Sequence, residues 1–238
     1  MWNQKIFCDR AEAGRRLAER LSAYAGRDDV VVLALPRGGV PVAYPVAHAL
    51  GAPLDVLVVR KLGVPGHEEV AMGALASGGV RILNEPVVRA LRIPPEAIER
   101  VAARETLELE RREGVYRGPR AQALVQGRTV ILVDDGIATG STVRAAVRAL
   151  RQRNPARIVV ASPVCSGPAC RELEGYADEV VCLLQPEPLG SVSLAYASFP
   201  QTTDLQVWTL LKRAATPRTG DAAAPPRPPP RSAPARTR

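Results

Sequence analysis

The chain has 238 residues, 46% of them hydrophobic, and carries a formal net charge of +8 at pH 7. This length and composition suit one domain with a sizeable core, and no apolar run reaches the roughly 18 residues that would predict a membrane span. Four cysteines without a C-x-x-C pair and only two histidines argue against a structural zinc site.

The N-terminal segment is predicted to be a helix without chemistry of its own. Met1–Phe7 lacks the apolar stretch of a signal peptide, so we expect a cytoplasmic protein. Asp9 and Glu12 have the spacing of a capping box. Apolar residues then recur every three or four positions, which predicts a helix from Arg10 to Tyr24.

A buried strand followed by a glycine loop comes next. Val30–Leu35 is wholly apolar, and Arg37–Gly39 leads from it into a predicted helix at Val40–Leu50. Two glycines let the backbone approach a ligand closely, and an arginine fork suits phosphate oxygens. The loop therefore predicts an anion site, although a tight strand-to-helix turn without a ligand would use the same residues.

The third segment joins two cations to a polar run. Leu54–Val59 is predicted as an apolar strand that ends at Arg60 and Lys61, and a stretch rich in Gly, Pro and charged residues follows as far as Glu69. Cations at a strand end followed by such a stretch predict a mobile loop near an anion. His67 opens no H-E-x-x-H zinc motif, because no second histidine follows at the required position.

Residues 74–113 are predicted to form a hairpin and two helices. Ser77–Gly79 predicts a turn between two short strands within Ala74–Leu83. A short helix is predicted at Glu85–Leu91, and a long, heavily charged one at Glu96–Glu113. The charged faces of the long helix suit solvent or a second subunit, so a homodimer is left open.

The organising stretch of the chain is a strand, two carboxylates and a small-residue loop. Thr129–Val133 is a β-branched and apolar run that suits a strand buried on both faces, and Asp134 and Asp135 end it. The loop and helix start that follow are Gly136, Ile137, Ala138, Thr139, Gly140, Ser141 and Thr142. A loop of this kind presents free N–H groups to an anion, and two carboxylates beside a phosphate suit sugar hydroxyls, a divalent cation, or both. The loop lacks the lysine of a Walker motif, and no G-x-G-x-x-G follows any strand.

The remaining chain completes an α/β pattern. Arg157–Val164 and Val180–Leu184 are predicted strands, and Asp204–Arg213 is a predicted final helix. This alternation predicts an open, mostly parallel twisted sheet flanked by helices. Residues 1–215 form the predicted domain, and the Pro/Ala/Arg-rich residues 216–238 are predicted to be disordered. Residues 217–238 hold five Arg and one Asp, half of the net charge, so the basic balance predicts no specific nucleic-acid binding.

Three of these segments together resemble the type I phosphoribosyltransferase family. Val130–Thr142 resembles its motif for phosphoribosyl pyrophosphate (PRPP), Arg37–Gly39 resembles the pyrophosphate loop of its purine-salvage branch, and Arg60–Glu69 is similar to the flexible loop of adenine-type members. Phe199–Asp204 resembles a run found in uncharacterised bacterial members, although the Trp-Tyr pair that precedes it there is absent here. The resemblance spans residues 5–213 and implies an α/β core with a small hood and a flexible loop.

The resemblance also implies a role for each site residue. Asp134 and Asp135 would hold the ribose hydroxyls and, largely through the ligand, Mg²⁺; with Lys61 they are the catalytic candidates. The 5′-phosphate would bind to the loop and helix start from Gly136 to Thr142. The pyrophosphate would contact Arg37, Gly38, Gly39, Arg60 and Lys61. The flexible loop, with Gly66, His67, Glu68 and Glu69, would close over PRPP and shield the reacting carbon from water.

The implied reaction is displacement of pyrophosphate from C1 of PRPP by a nitrogenous base, a glycosyl transfer of nucleotide salvage. A non-catalytic regulator that senses PRPP or a nucleotide on the same fold is the alternative, and the basic tail motivates it. A phosphate-handling hydrolase is disfavoured, because no nucleophile–base constellation accompanies the loops. The base-recognising hood is predicted at Cys165–Gly167 and Leu184–Phe199, and no residue there dictates which base is the acceptor.

Overall fold

The computed structural model describes residues 6–216 of the chain. In this range the helices are α1 (Arg10–Arg20), α2 (Gly39–Leu50), α3 (Glu85–Ala90), α4 (Pro95–Arg117), α5 (Ser141–Arg151), α6 (Gly167–Leu173) and α7 (Asp204–Ala215). The strands are β1 (Val30–Ala34), β2 (Leu54–Val56), β3 (Val59–Val64), β4 (His67–Ala76), β5 (Val80–Leu83), β6 (Thr129–Val133), β7 (Arg157–Val164) and β8 (Glu179–Leu184). Short 3₁₀ turns lie at Ser22–Tyr24 and Val192–Ala195.

Five parallel strands form the central sheet, in the order β2-β1-β6-β7-β8. β1 and β6 are neighbours near its middle, with Ala34 opposite Val133. Both strands are buried along their whole length, as expected for apolar runs covered by helices on both faces. One face packs with α1, α2, α4 and α7, and the other with α5 and α6. The predicted open, mostly parallel sheet flanked by helices is therefore confirmed.

A second sheet is antiparallel and has the order β3-β4-β5. The turn predicted at Ser77–Gly79 is confirmed, since β4 and β5 pair on either side of it, with Ala76 opposite Val80. The buried Ser77 joins this sheet to the end of β2, because its backbone N–H donates to the Val58 carbonyl and its hydroxyl accepts from the Val58 N–H.

A strand is confirmed at Leu54–Val56, but the prediction of one strand as far as Val59 is wrong, because this mostly apolar run is divided between the two sheets. β2 ends at Val56. Leu57 still donates to the Ala34 carbonyl of β1, whereas Val58 already pairs with the second sheet. The chain stays buried from Leu54 to Val58 while its pairing partner changes, and a hydrophobic pattern alone does not report a change of partner.

The cations and the polar run that follow are likewise placed differently from the prediction. Arg60 and Lys61 lie inside β3 rather than at a strand end. The run predicted as a loop forms the β3–β4 hairpin, in which Val64 lies opposite His67 and Gly66 has a φ of 79° in the turn. The residues from Pro65 to Ala71 are all exposed, so the tip of this hairpin extends into solvent.

The remaining boundaries differ by a turn or less. α1 ends at Arg20, and a 3₁₀ turn continues to Tyr24, while α4 extends to Arg117, beyond its predicted end. Within residues 6–216, no helix combines the length and the apolar composition needed to cross a membrane. Apart from Thr216, the segment predicted to be disordered lies outside the described residues, and the domain boundary at 215 stays a prediction.

Candidate active site

The two loops that follow β1 and β6 meet at the carboxyl-terminal end of the parallel strands. Because these parallel strands are neighbours in register, their carboxyl ends bring Pro36–Gly39 next to Asp134–Gly140. The Leu35 N–H extends the pairing by donating to the Val133 carbonyl at 2.9 Å. Ligands of open α/β sheets bind in crevices at this end. The structure thus brings together two of the three segments on which the resemblance rests.

Two glycines let these loops approach each other closely. A Cβ added to Gly38 would lie 2.0 Å from Asp135 Oδ2, and one added to Gly39 would lie 2.7 Å from the Val133 carbonyl oxygen. Gly38 has ordinary helical dihedral angles, φ −61° and ψ −33°, so glycine is needed there for space and not for its backbone conformation.

The acidic pair lies half-buried at the end of β6. The Asp135 N–H donates to Asp134 Oδ1 at 2.9 Å, which orients the first carboxylate. Burial raises the pKa of Asp134 well above its ordinary value, and the negative charge of Asp135 raises it further. A cation or a hydroxyl donor brought by a ligand would relieve this cost, so the pair is suited to bind such groups.

Sequence reasoning missed two side chains that hold Asp135. Arg10, the first residue of α1, donates from Nε to Asp135 Oδ2 at 2.7 Å. The Tyr196 hydroxyl donates to the Asp135 carbonyl at 2.6 Å. Burial is the main cause that raises the pKa of Tyr196, and the negative charge of Asp135 adds to it. No local pattern marks either contact, because the partners are 125 and 61 positions apart.

The loop after the acidic pair is held from β7 and leaves amide groups free. Ile137 donates to the Val164 carbonyl at 2.8 Å, and Ser166 donates back to the Ile137 carbonyl at 2.8 Å. The N–H groups of Ala138, Thr139 and Gly140 find no acceptor among residues 6–216. They precede α5, which begins at Ser141.

Free amides beside the positive end of a helix dipole attract an anion. The first turn of α5 contains no acidic residue that would compete for this position. The hydroxyls of Thr139 and Ser141 lie 3.2 Å apart and provide further donors. Gly140, with a φ of 72°, turns the chain into the helix. The stretch from Gly136 to Thr142 thus offers the donors that a phosphate-sized anion would need, and the phosphate site itself stays a prediction.

Arg37 lies on the other loop and is only loosely held. Its guanidinium Nη1 is 3.6 Å from Asp204 Oδ1, and its side chain is 37% exposed. Asp204 also accepts from the Tyr116 hydroxyl at 2.9 Å. An exposed pair at this distance contributes little, so Arg37 is free to exchange Asp204 for a ligand anion.

Arg60 and Lys61 have their hydrogen-bond partners outside the two loops. Arg60 donates through Nη2 to Glu105 of α4 at 2.5 Å, and Glu105 is buried. The exposed Lys61 donates from Nζ to the Glu69 carbonyl across the hairpin at 3.3 Å. No hydrogen bond or ion pair of the described chain links either cation to Asp134–Thr142. Arg60 is thus occupied by an ion pair with α4, whereas Lys61 is bonded only to the backbone of the hairpin.

The hairpin tip carries the other predicted loop residues. Gly66 donates its N–H to Glu68 Oε1 at 3.3 Å, and backbone N–H groups lower the pKa of Glu68. His67 Nδ1 lies 3.7 Å from Glu69 Oε1, with both side chains more than 70% exposed. These residues contact one another rather than the acidic pair.

The donor set at the acidic pair suits only a metal that is shared with a ligand. Within residues 6–216 no three His, Cys, Asp or Glu side chains are placed to hold a metal ion together. Mg²⁺ keeps several waters and is bound through one or two carboxylates together with substrate phosphates. Asp134 and Asp135 fit that mode, since they are two oxygen-bearing groups beside a predicted phosphate site.

Residues 7–196 match the family model of the phosphoribosyl transferase domain. Over 210 residues the chain is 47% identical to proteins of Mycobacterium tuberculosis strains CDC 1551 and H37Rv, each named "Putative phosphoribosyl transferase". The match covers 88% of this chain and 47% of each relative, so the chain spans about half the length of these curated relatives. The crystal structure of TT1426 from Thermus thermophilus is similar with a TM-score of 0.79 and 43% identity, over 88% of this chain and 99% of that one. The chain belongs to the phosphoribosyl transferase domain family, as its motifs predicted.

Proposed function

We propose that this domain transfers ribose 5-phosphate from PRPP to a nitrogenous base and releases pyrophosphate. The observation that carries the proposal is the close packing of the Arg37–Gly39 loop against Asp135. A Cβ at Gly38 would lie 2.0 Å from Asp135 Oδ2, which is more than an ångström closer than ordinary contact allows. A glycine loop with an arginine, two carboxylates and a loop of free amides then surround one edge of the sheet. PRPP needs these three kinds of group, for its diphosphate, its ribose diol and its 5′-phosphate.

The phosphate groups would be held by donors that are already in place. The amides of Ala138 to Gly140 and the hydroxyls of Thr139 and Ser141 would donate to the 5′-phosphate. Arg37 and the backbone of Gly38 and Gly39 would donate to the diphosphate and stabilise the charge that develops as it leaves. Because many of these donors are backbone groups, few side chains would need to be ordered when the ligand binds.

The acidic pair would accept hydrogen bonds from the ribose diol. Its negative charge would also favour the positive charge that develops on the sugar while the bond to pyrophosphate breaks. Asp134 and Asp135 would contribute to holding Mg²⁺, mostly through the ligand, and the ion would neutralise the diphosphate. The raised pKa of Asp134 supports this assignment, since a buried like-charged pair gains most from a cation at that position.

The β3–β4 hairpin would act as the cover. Its tip, Gly66–Glu69, is exposed, and Lys61 is tied to it by a single hydrogen bond to the Glu69 carbonyl. Closure of the hairpin would carry Lys61 towards the diphosphate and exclude water from C1. Arg60 would reach the diphosphate only by leaving Glu105, so its role is secondary in this scheme.

The test is release of pyrophosphate from PRPP and Mg²⁺ with a panel of purine and pyrimidine bases. We expect release with at least one base, and its loss when Asp134→Asn is combined with Asp135→Asn. Asp28→Asn is the matched control, because Asp28 is an exposed carboxylate before β1, at the opposite edge of the sheet. Full activity in the double variant, or neither PRPP binding nor release by the wild type, would overturn the proposal. PRPP binding by calorimetry without release with any base would instead identify a non-catalytic sensor.

A further inference from the structure

Arg10 contacts three parts of the site at once. Its Nε donates to Asp135 Oδ2 at 2.7 Å, and its Nη1 donates to the Pro200 carbonyl at 2.8 Å. Its guanidinium carbon lies 3.6 Å from the centre of the Phe199 ring. The side chains of Arg10 and Asp135 are 10% and 16% exposed, so their ion pair is largely shielded from water. Solvent therefore screens this pair less than it screens the exposed ion pairs of the surface.

These contacts leave one oxygen of Asp135 available. Oδ2 accepts from Arg10, and the backbone carbonyl accepts from Tyr196. Oδ1 has no hydrogen-bond donor among residues 6–216. Oδ2 also lies against Gly38, where the absence of a side chain makes room for the carboxylate. Among the described side chains, Arg10 is thus the one that donates to the Asp135 carboxylate and orients it.

We propose that Arg10 is a positioning residue of the PRPP site, which orients Asp135 so that Oδ1 accepts from the ribose diol. The same guanidinium ties the segment Tyr196–Pro200 to that carboxylate. This inference rests on the proposed function, and Arg10 acts in it through Asp135 without touching the substrate. A lysine here would keep the charge but would have neither the planar face on Phe199 nor the donor fork.

The test compares Arg10→Met, Arg10→Lys, Asp135→Asn and the double variant Arg10→Met with Asp135→Asn in the full chain. The readouts are kcat and KM for PRPP in pyrophosphate release, Kd for PRPP by calorimetry, and the thermal midpoint. Arg16→Met is the matched control, because Arg16 lies on the same helix, pairs with Glu12 and lies over the Phe7 ring. We expect Arg10→Met to lower kcat/KM by about 10- to 100-fold. Arg10→Lys should recover part of this loss, and Arg16→Met should match the wild type.

Non-additivity separates positioning from a general loss of structure. If Arg10 acts through Asp135, the double variant loses no more PRPP affinity and activity than Asp135→Asn alone. Losses that multiply would overturn the inference, as would a folded Arg10→Met variant with wild-type kcat/KM. If Arg10→Met does not fold, Arg10→Lys is tested in the same way: full activity overturns the inference, and a loss masked by Asp135→Asn supports it. A wild type that neither binds PRPP nor releases pyrophosphate overturns the proposed function and the inference with it, whereas an active wild type with an unaffected Arg10 variant overturns the inference alone.

Discussion

A single methyl group at Gly38 is expected to separate the acidic pair from the loop that faces it. In Gly38→Ala the new Cβ would lie 2.0 Å from Asp135 Oδ2 and 2.5 Å from Asp135 Cγ, whereas ordinary contact begins at 3.4 Å. The carboxylate or the loop must therefore move by about 1.4 Å. If the carboxylate moves, a shift of that size breaks the 2.7 Å bond between Arg10 and Asp135, and if the loop moves, Gly38 is displaced from the acidic pair.

The magnitudes follow from this displacement. Overpacking a well-packed site costs about 1–3 kcal/mol of folding free energy. In a domain of this size each kcal/mol lowers the thermal midpoint by about 2–4 °C. Misplacing a substrate-binding group by about 1 Å costs roughly 100-fold in rate, so kcat/KM should fall by about that factor. The loss of activity should thus exceed what the modest loss of stability explains at 25 °C.

The assay pairs thermal unfolding by circular dichroism with pyrophosphate release. Gly114→Ala is the control, because Gly114 lies inside α4, and a Cβ there would meet nothing within 4 Å. It should raise the free energy of unfolding by about 0.5–1 kcal/mol and leave kcat/KM unchanged. Adding Asp135→Ala to Gly38→Ala removes the overlap but also leaves Arg10 without its carboxylate, so it should not restore activity. Wild-type stability and kcat/KM in Gly38→Ala would refute the close packing of the two loops.

Two further predictions concern charge. Because the folded-state pKa of Asp134 lies above its unfolded value of about 3.9, the folded state holds the proton longer, and stability falls as the pH rises through the window between the two values. Asp134→Asn keeps the oxygen that accepts from the Asp135 N–H, and it should raise the thermal midpoint at pH 7. This gain should shrink towards pH 4. A gain that grows on acidification would contradict the raised pKa of Asp134. Arg60→Met should lower the free energy of unfolding by about 1–3 kcal/mol, because it leaves the buried Glu105 without its closest partner. Arg81→Met removes an exposed ion pair and should lower it by less than about 1 kcal/mol. Urea unfolding measures both values. Equal losses in these two variants would show that the Arg60–Glu105 pair is not shielded from solvent. An unchanged KM for PRPP in Arg60→Met would show that Arg60 does not contribute to PRPP binding.

The parts of the fold that could be predicted from sequence are those specified by local pattern. Val30–Ala34 and Thr129–Val133 are unbroken apolar or β-branched runs, and both are buried parallel strands. The glycine turn at Ser77–Gly79 likewise predicted its hairpin. In each case the residues that determine the structure are adjacent in the chain. Their conformational preferences and the tertiary environment point to the same result.

Pattern was insufficient where one segment changes its partner. The mostly apolar run Leu54–Val59 contains no signal at Val56, where the chain leaves the central sheet and turns to the second sheet. Arg60 was expected at the end of that run and beside an anion, yet it pairs with Glu105 of α4, 45 positions away. Which charge neutralises an arginine depends on the packing of whole elements, and the sequence around the arginine does not specify it.

The sequence by itself determined which groups the candidate site contains, because two adjacent carboxylates, a small-residue loop and an arginine-glycine loop are local features. Only the tertiary structure decided how these groups are arranged. Neighbouring parallel strands bring Gly38 within contact of Asp135, 97 positions along the chain, and explain why a side chain is excluded there. The packing of α1 on the sheet places Arg10 on the same carboxylate, although nothing in the helix that Arg10 begins marks it as a site residue. Strand register and helix packing are properties of the assembled core, so these two contacts became visible only in the fold.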